Sequence, residues 1–199
     1  TAAAHCARAG CDKVLATVVD AGADLELAVR DSLRRGDAAR YTPVQFAAGA
    51  LTGAIQLGGA TEDTVKVLVR RGAKLEPATA PAGWPEAVLR RGRRHALADL
   101  IRYVIDNDGD AAEPNSRATP EALATRIALV DEFERLAAAF AVGDKVVVEG
   151  LKAKPKYNGK TAVVRGRVNA RGRFPVTVEM RDGPETIALK LANLRAADE

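Results

Sequence analysis

Apolar residues at positions 3, 6 and 7, and again at 14, 15, 18 and 19, recur at helical spacing, with Gly10 between the two runs. The pattern predicts helix, turn, helix over residues 1–26. Gly22 comes directly after the second stripe, where a glycine ends a helix in the left-handed conformation without steric cost. A second stretch, residues 42–76, begins Thr42-Pro43-Val44-Gln45-Phe46-Ala47-Ala48, with Pro at the first helical position. It closes on Gly72-Ala73-Lys74-Leu75-Glu76, much as the first closes on Gly22-Ala23-Asp24-Leu25-Glu26. The second stretch carries a nine-residue insertion, placed within residues 49–60, after which Thr61, Glu62 and Asp63 cap and start its second helix. A third unit over residues 83–107 repeats the spacing through Val88-Leu89, Gly92, Ala96-Leu97 and Leu100-Ile101, with a helix running to about Asp106 before Gly109 ends it. Residues 27–41 are long for a connection and predict either an extended loop or a small extra helix.

Beyond residue 107 the pattern changes twice. Residues 108–118, rich in Gly, Asp, Pro, Asn and Ser, predict a solvated linker. Thr119-Pro120-Glu121 then opens a helix over residues 119–139 in the order of cap, Pro and acid, with Leu123, Ile127, Val130, Phe133 and Ala137 on one stripe. This helix either closes the end of the repeat stack or forms a stalk to the next domain. After Phe140 the period becomes alternating. Val146-Val147-Val148 and residues 161–164, 174–178 and 186–189 predict short strands, separated by turns at Asn158-Gly159, Arg171-Gly172 and Asp182-Gly183. Four or five short strands in residues 140–199 predict a small barrel. The expected class is α+β, an α-helical array and then a small β-barrel.

Both parts resemble known families. Thr1, Gly10 and Gly22-Ala23-Asp24 fall on the pattern of an ankyrin repeat, which residues 42–76 match more fully through Thr42-Pro43; the first unit departs from it at Ala2, Ala3, Ala4 and Cys11. The barrel region is similar to SH3-like barrels of the KOW type in Val142-Gly143-Asp144-Lys145-Val146, Gly150-Leu151, Lys154-Pro155, Asn158-Gly159-Lys160, Arg173-Phe174-Pro175-Val176, Leu189-Lys190 and Asn193-Leu194. The combination resembles ankyrin proteins of eukaryotes, especially algae and protists. The resemblance implies a short array that binds a partner protein through its hairpins and first helices, at His5, Arg8, Asp24, Glu26, Gln45, Lys74 and Glu76.

Composition adds constraints. The 199 residues are 47% apolar but only 4% aromatic, so the core is built from Ala, Val, Leu and Ile. No run approaches the roughly 18 apolar residues of a membrane span. The expectation is a soluble intracellular protein of the cytoplasm or, if a targeting peptide precedes Thr1, of an organelle. Cys6 and Cys11 give no disulfide framework, and a zinc site built on them with His5 would need the distant His95 as its fourth ligand, so no metal site is expected. No catalytic, cofactor-binding or metal-ligating residues are predicted, because no convergent set of nucleophile, base and donor is visible.

Charge supplies the functional hint. Residues 140–199 hold twelve Lys/Arg against seven Asp/Glu, whereas residues 1–139 balance to −1. From 150 to 178 there are eight basic residues, Lys152, Lys154, Lys156, Lys160, Arg165, Arg167, Arg171 and Arg173, and no acid. Side chains two apart share a strand face, which groups Arg165 with Arg167 and Lys152 with Lys154 and Lys156. A one-sign surface attracts acidic proteins, phosphates or anionic headgroups; the plainer alternative is a solubilising face. A second cluster, Arg90-Arg91-Gly92-Arg93-Arg94-His95, either pairs with acids of its own array or faces a partner. The leading expectation is a non-catalytic adaptor or structural subunit, its array holding one protein and its basic barrel an acidic second surface. The alternative is a nucleic-acid-binding accessory of a ribonucleoprotein, and a regulatory fragment of a larger enzyme is the third class.

Overall fold

The computed structural model describes residues 2–9, 11–25, 27, 29–30, 40–41, 62–75, 89–90, 94–108 and 119–197. Two compact units divide at the middle of a helix, one of residues Thr1–Val130 and one of Asp131–Glu199. Helices and an antiparallel sheet together make the chain α+β.

The first unit begins with α1 (Ala2–Ala9) and α2 (Asp12–Asp20), which pack as a pair with Ala3, Ala4, Cys6, Ala7 and Leu15 buried. Small side chains let two such short helices approach closely. The turn between them is closed by Cys11 N–H donating to the Cys6 carbonyl at 3.0 Å. At the end of α2, Gly22 takes φ +90°, its N–H donates to Val19 and the Ala23 N–H donates to Val18. α3 (Glu62–Arg70) ends identically: Gly72 at φ +85°, Gly72 N–H to Val69 and Ala73 N–H to Leu68. Both are Schellman endings, in which glycine at the left-handed position lets two late carbonyls find donors. The two like-worded endings of the sequence are therefore two copies of one structure.

α2 and α3 are latched at both ends. The Thr64 hydroxyl donates to the Asp12 carboxylate, and Arg71 grips Asp20 with Nε at 2.9 Å and Nη2 at 3.1 Å. α4 (His95–Asn107) buries Leu97, Ala98, Leu100, Ile101, Tyr103 and Val104. Arg94 N–H donates to the Leu89 carbonyl, as Cys11 N–H does to Cys6, which sets α4 one residue later than the sequence spacing implies. Within residues 27–41, expected as an extended loop or a small extra helix, the described part is a two-residue ladder, β1 (Val29–Arg30) against β2 (Arg40–Tyr41). A ladder this short leaves no periodic trace. The expected first helix and insertion of the second unit, the Thr61 cap and linker residues 109–118 lie outside the described residues.

α5 (Pro120–Ala139) opens as expected, the Thr119 hydroxyl accepting from the Ala122 N–H at 3.3 Å. Its buried stripe is rotated from the predicted one: Arg126, Val130, Phe133 and Leu136 are buried, while Ile127 and Ala137 are exposed. Arg126, a cation, lies on the buried side and is bonded to Asp108 and to the Ala73 carbonyl.

The second unit is built on five antiparallel strands, β3 (Lys145–Val148), β4 (Thr161–Val164), β5 (Arg173–Met180), β6 (Gly183–Lys190) and β7 (Leu194–Ala196), in the order β6-β5-β4-β3-β7. Alternation drives this sheet. Val146 and Val148, Ala162 and Val164, and Phe174, Val176 and Val178 are buried on one face, with Val168, Leu189 and Leu194 closing the core. Burying each such side chain is worth about 1.5–3 kcal/mol. Phe140 meets Phe174 edge to face at 5.7 Å. The chain leaves β6 through a 3-10 turn, Leu191–Asn193, and returns beside β3, where Leu194 faces Val148. Among the described residues, no helix is long and apolar enough to cross a membrane.

Candidate functional site

The basic run of the β unit occupies two loops, not one strand face. β4 ends at Val164, so Arg165 and Arg167 lie beyond it, and residues 152–157 form a bend and a 3-10 turn, Pro155–Tyr157. The two-apart rule for strands therefore groups neither Lys152 with Lys154 and Lys156 nor Arg165 with Arg167. Antiparallel pairing adds a second separation. Residues 149–160 join β3 to the start of β4, and residues 165–172 join the end of β4 to β5, so the lysine loop and the arginine loop leave opposite ends of β4, about 10 Å apart along the strand.

The lysine loop is built on Tyr157 and two asparagines. Tyr157 is buried to the ring, and its hydroxyl donates to Glu185 of β6. Asn158 bonds Leu151 reciprocally, accepting its N–H at 2.9 Å and donating to its carbonyl at 3.0 Å, while Asn193 donates to the Glu149 carbonyl. Lys156 reaches the same Glu185 carboxylate at 3.0 Å and lies 4.7 Å from the Tyr157 ring centre. The Tyr157 hydroxyl first, and then Lys156, hold the Glu185 carboxyl below its ordinary range, with Lys154 adding to the effect. Glu185 in turn raises the Lys156 ammonium. The fold thus supplies the acid missing from residues 150–178, and this end of β4 is partly neutralised. Lys152, Lys154 and Lys160 are exposed.

Among the described residues, the arginine loop has no such counter-charge. Asn169 organises it, its side-chain oxygen accepting from Arg171 N–H at 2.9 Å and Arg173 N–H at 3.1 Å, while its own N–H donates to the Arg173 carbonyl. Val168 is buried as the plug beneath, and Gly172 sits at φ +66°. Arg165 N–H donates to the Pro175 carbonyl at 2.8 Å, and a Cβ at Gly166 would stand 2.9 Å from the Pro175 ring, so only glycine fits there. Arg165, Arg167, Arg171 and Arg173 are exposed, and among the described residues none of the four makes an ion pair. One member of this cluster was not singled out from the sequence: Lys190 of β6 lies directly opposite Arg173 in the ladder. Like charges facing across a ladder repel, and only the pairing register could have revealed the contact.

The array residues separate similarly. His5 is exposed on α1, which also carries Arg8. Asp24 is exposed and Lys74 half-buried, each just past its Schellman glycine and each engaging a neighbour. Glu26, Gln45 and Glu76 lie outside the described residues. In the second basic cluster, Arg90 pairs with Asp99 at 2.7 Å and lies 3.4 Å from His95 Nδ1, so this arginine is held by its own array.

A further residue, unforeseen from its sequence context, holds the turn that follows α3. Arg126 of α5 donates from Nε to Asp108 at 2.5 Å and from Nη1 to the Ala73 carbonyl at 2.9 Å. The side chains of Arg126 and Asp108 are only 6% and 2% exposed, so Asp108 is a buried anchor and not a solvated linker residue.

Comparison with protein-family models, with curated proteins and with solved structures returns no match.

Proposed function

We propose that the chain is a non-catalytic protein–protein interaction adaptor or structural subunit. An ankyrin-like array holds one partner, and an SH3-like β unit holds an acidic second surface. The observation that carries the reading is the arginine loop: four exposed guanidiniums without ion pairs among the described residues, on a backbone fixed by Asn169, Val168 and Gly166. Guanidinium forks match carboxylates bidentately, and a preordered loop loses little entropy on binding. The β-unit identity is supported by the meander β3 to β6 leading into a 3-10 turn and a short strand beside β3. The array identity is supported by the paired Schellman endings after α2 and α3.

Nucleic-acid binding is the second reading, favoured by the same arginines. Base stacking has little support: Tyr157 and Phe174, the aromatic candidates within the basic run, are both buried. Changing Arg165, Arg167, Arg171 and Arg173 together to Ser separates the readings. An acidic chain, poly-glutamate, and a single-stranded RNA of equal charge are titrated at two salt concentrations. Poly-glutamate binding that the variant loses supports the adaptor reading. RNA bound much more tightly than poly-glutamate, with a steep salt dependence, overturns it in favour of the second.

A further inference from the structure

β6 is an eight-residue strand at one end of the sheet order, and its other side is unoccupied among the described residues. The β5–β6 hairpin turns through two residues, Arg181 and Asp182, with Met180 opposite Gly183. A two-residue turn makes its closing pair the hydrogen-bonded one, and the ladder then alternates. Gly183, Glu185, Ile187 and Leu189 therefore direct their N–H and carbonyl groups to β5, while Thr186, Ala188 and Lys190 direct their N–H groups outward and Pro184, which has no N–H, directs only its carbonyl there. Two side-chain observations agree with this phase. Thr177 and Thr186 touch at 3.0 Å through their hydroxyls, as the closer non-hydrogen-bonded pair should. Pro175, which has no N–H, sits opposite Ala188 at another such pair. Among the described residues, the outward backbone groups of Thr186 and Ala188 make no hydrogen bond, while the Lys190 carbonyl opens the 3-10 turn Leu191–Asn193.

A long edge is usually blunted by proline, charge or a bulge. Here Pro184 guards only the hairpin end, and the sole acid of the strand, Glu185, is bound by Lys156 and Tyr157. The exposed side chains toward the other end are Thr186, Ala188 and Lys190, two of them small enough to let another backbone approach. Lys190 and the facing Arg173 place two positive charges there.

We propose that the free edge of β6 takes up an extended acidic peptide as a sixth strand, hydrogen-bonded to the outward groups of Thr186 and Ala188 and to the Lys190 N–H, with its carboxylates against Lys190 and Arg173. This rests on the reading of the β unit as a holder of an acidic protein surface and supplies the binding mode, main-chain pairing for affinity and charge for register.

The probe is a fluorescein-labelled ten-residue peptide of alternating Val and Glu, compared by anisotropy with the same peptide N-methylated at alternate amides and with poly-glutamate. Ala188→Pro removes one outward N–H at a position whose partner is already proline, and circular dichroism checks that the sheet remains. The unmodified peptide is expected to bind more tightly than either control, and Ala188→Pro to weaken it roughly three- to tenfold, the value of one lost hydrogen bond. Equal binding of the N-methylated peptide overturns strand addition while leaving the acidic-surface reading intact. Failure of every acidic chain, poly-glutamate included, overturns both. Sedimentation showing a dimer that Ala188→Pro dissolves assigns the edge to a second copy of this chain and overturns the proposal.

Discussion

Arg126→Met tests the buried link between α5 and the turn that follows α3. The substitution keeps the length and apolar stem of the side chain but removes the guanidinium that satisfies two groups at once, the Asp108 carboxylate at 2.5 Å and the Ala73 carbonyl at 2.9 Å. Asp108 is then left buried without a counter-charge, its side chain 2% exposed. Breaking a buried pair in this way costs about 3–5 kcal/mol, a large share of the roughly 5–15 kcal/mol that holds a domain folded. The Ala73 carbonyl loses a charged donor as well, which keeps the effect at the upper end. Replacing both partners, Arg126→Met with Asp108→Leu, removes the stranded charge and should recover most of the loss, since an apolar substitute for a buried pair is often neutral or stabilising. Arg126→Lys should recover little, because one ammonium cannot reproduce the two directions of the fork. Urea unfolding monitored by far-UV circular dichroism gives the stabilities, and hydrogen exchange at the amides of residues 71–75 reports the turn locally. A single variant within about 1 kcal/mol of the parent, or a double variant no more stable than the single, refutes the assignment of this pair as a structural anchor.

Arg71 holds the Asp20 carboxyl below the usual carboxylate range, chiefly through their hydrogen bonds. Because the folded value is depressed, this contribution to stability is present above the unfolded value and is lost as pH falls through the folded one; carboxyl carbon NMR should show Asp20 titrating higher in Arg71→Gln, and an unchanged titration contradicts the ion pair. Gly166→Ala should destabilise the β unit by about 1–3 kcal/mol through the clash with the Pro175 ring, read by thermal unfolding; no change in melting would mean that the loop yields. The fourfold Arg→Ser variant should lose poly-glutamate while keeping its fold by circular dichroism, and retained affinity would remove the arginine loop from the interface. Ala188→Pro should weaken the alternating acidic peptide without unfolding the sheet, and unchanged affinity would leave the β6 edge without a role.

Features set by one or two neighbouring residues were legible in the sequence. Gly22 and Gly72 marked helix endings because the left-handed conformation is a local demand, and both adopt it. The turn glycines Gly159, Gly172 and Gly183 also take positive φ, and alternation placed β3 to β6 to within a few residues. Features set by register or by distant partners were not. Glu185 joins Tyr157 and Lys156 across 28 and 29 positions, and Arg126 joins Asp108 across 18, contacts that neither propensity nor periodicity encodes. β7 has three residues and β1 and β2 two each, too short for a period. The array positions Asp24 and Lys74 were placed correctly past their helices, yet both are already engaged, which a sequence pattern cannot show.

The division of the basic run changes which residues matter more than it changes their number. Read as a line, eight cations look equivalent; folded, Lys156 is tied to Glu185 and Lys154 feels the same carboxylate, whereas the four arginines meet no acid among the described residues and gain Lys190 as a neighbour. A solubilising surface would be served equally by lysines at either end and would have no use for a preordered loop. The arginine loop instead spends a buried valine, an asparagine side chain and an obligate glycine on holding its backbone, and tolerates Arg173 facing Lys190 across the ladder. Like charges opposite one another disfavour the empty sheet slightly and favour any anion that settles between them. That asymmetry between the two ends of β4 is the physical ground for placing the proposed acidic partner at the arginine end, where the edge of β6, unpaired among the described residues, also finishes at Lys190.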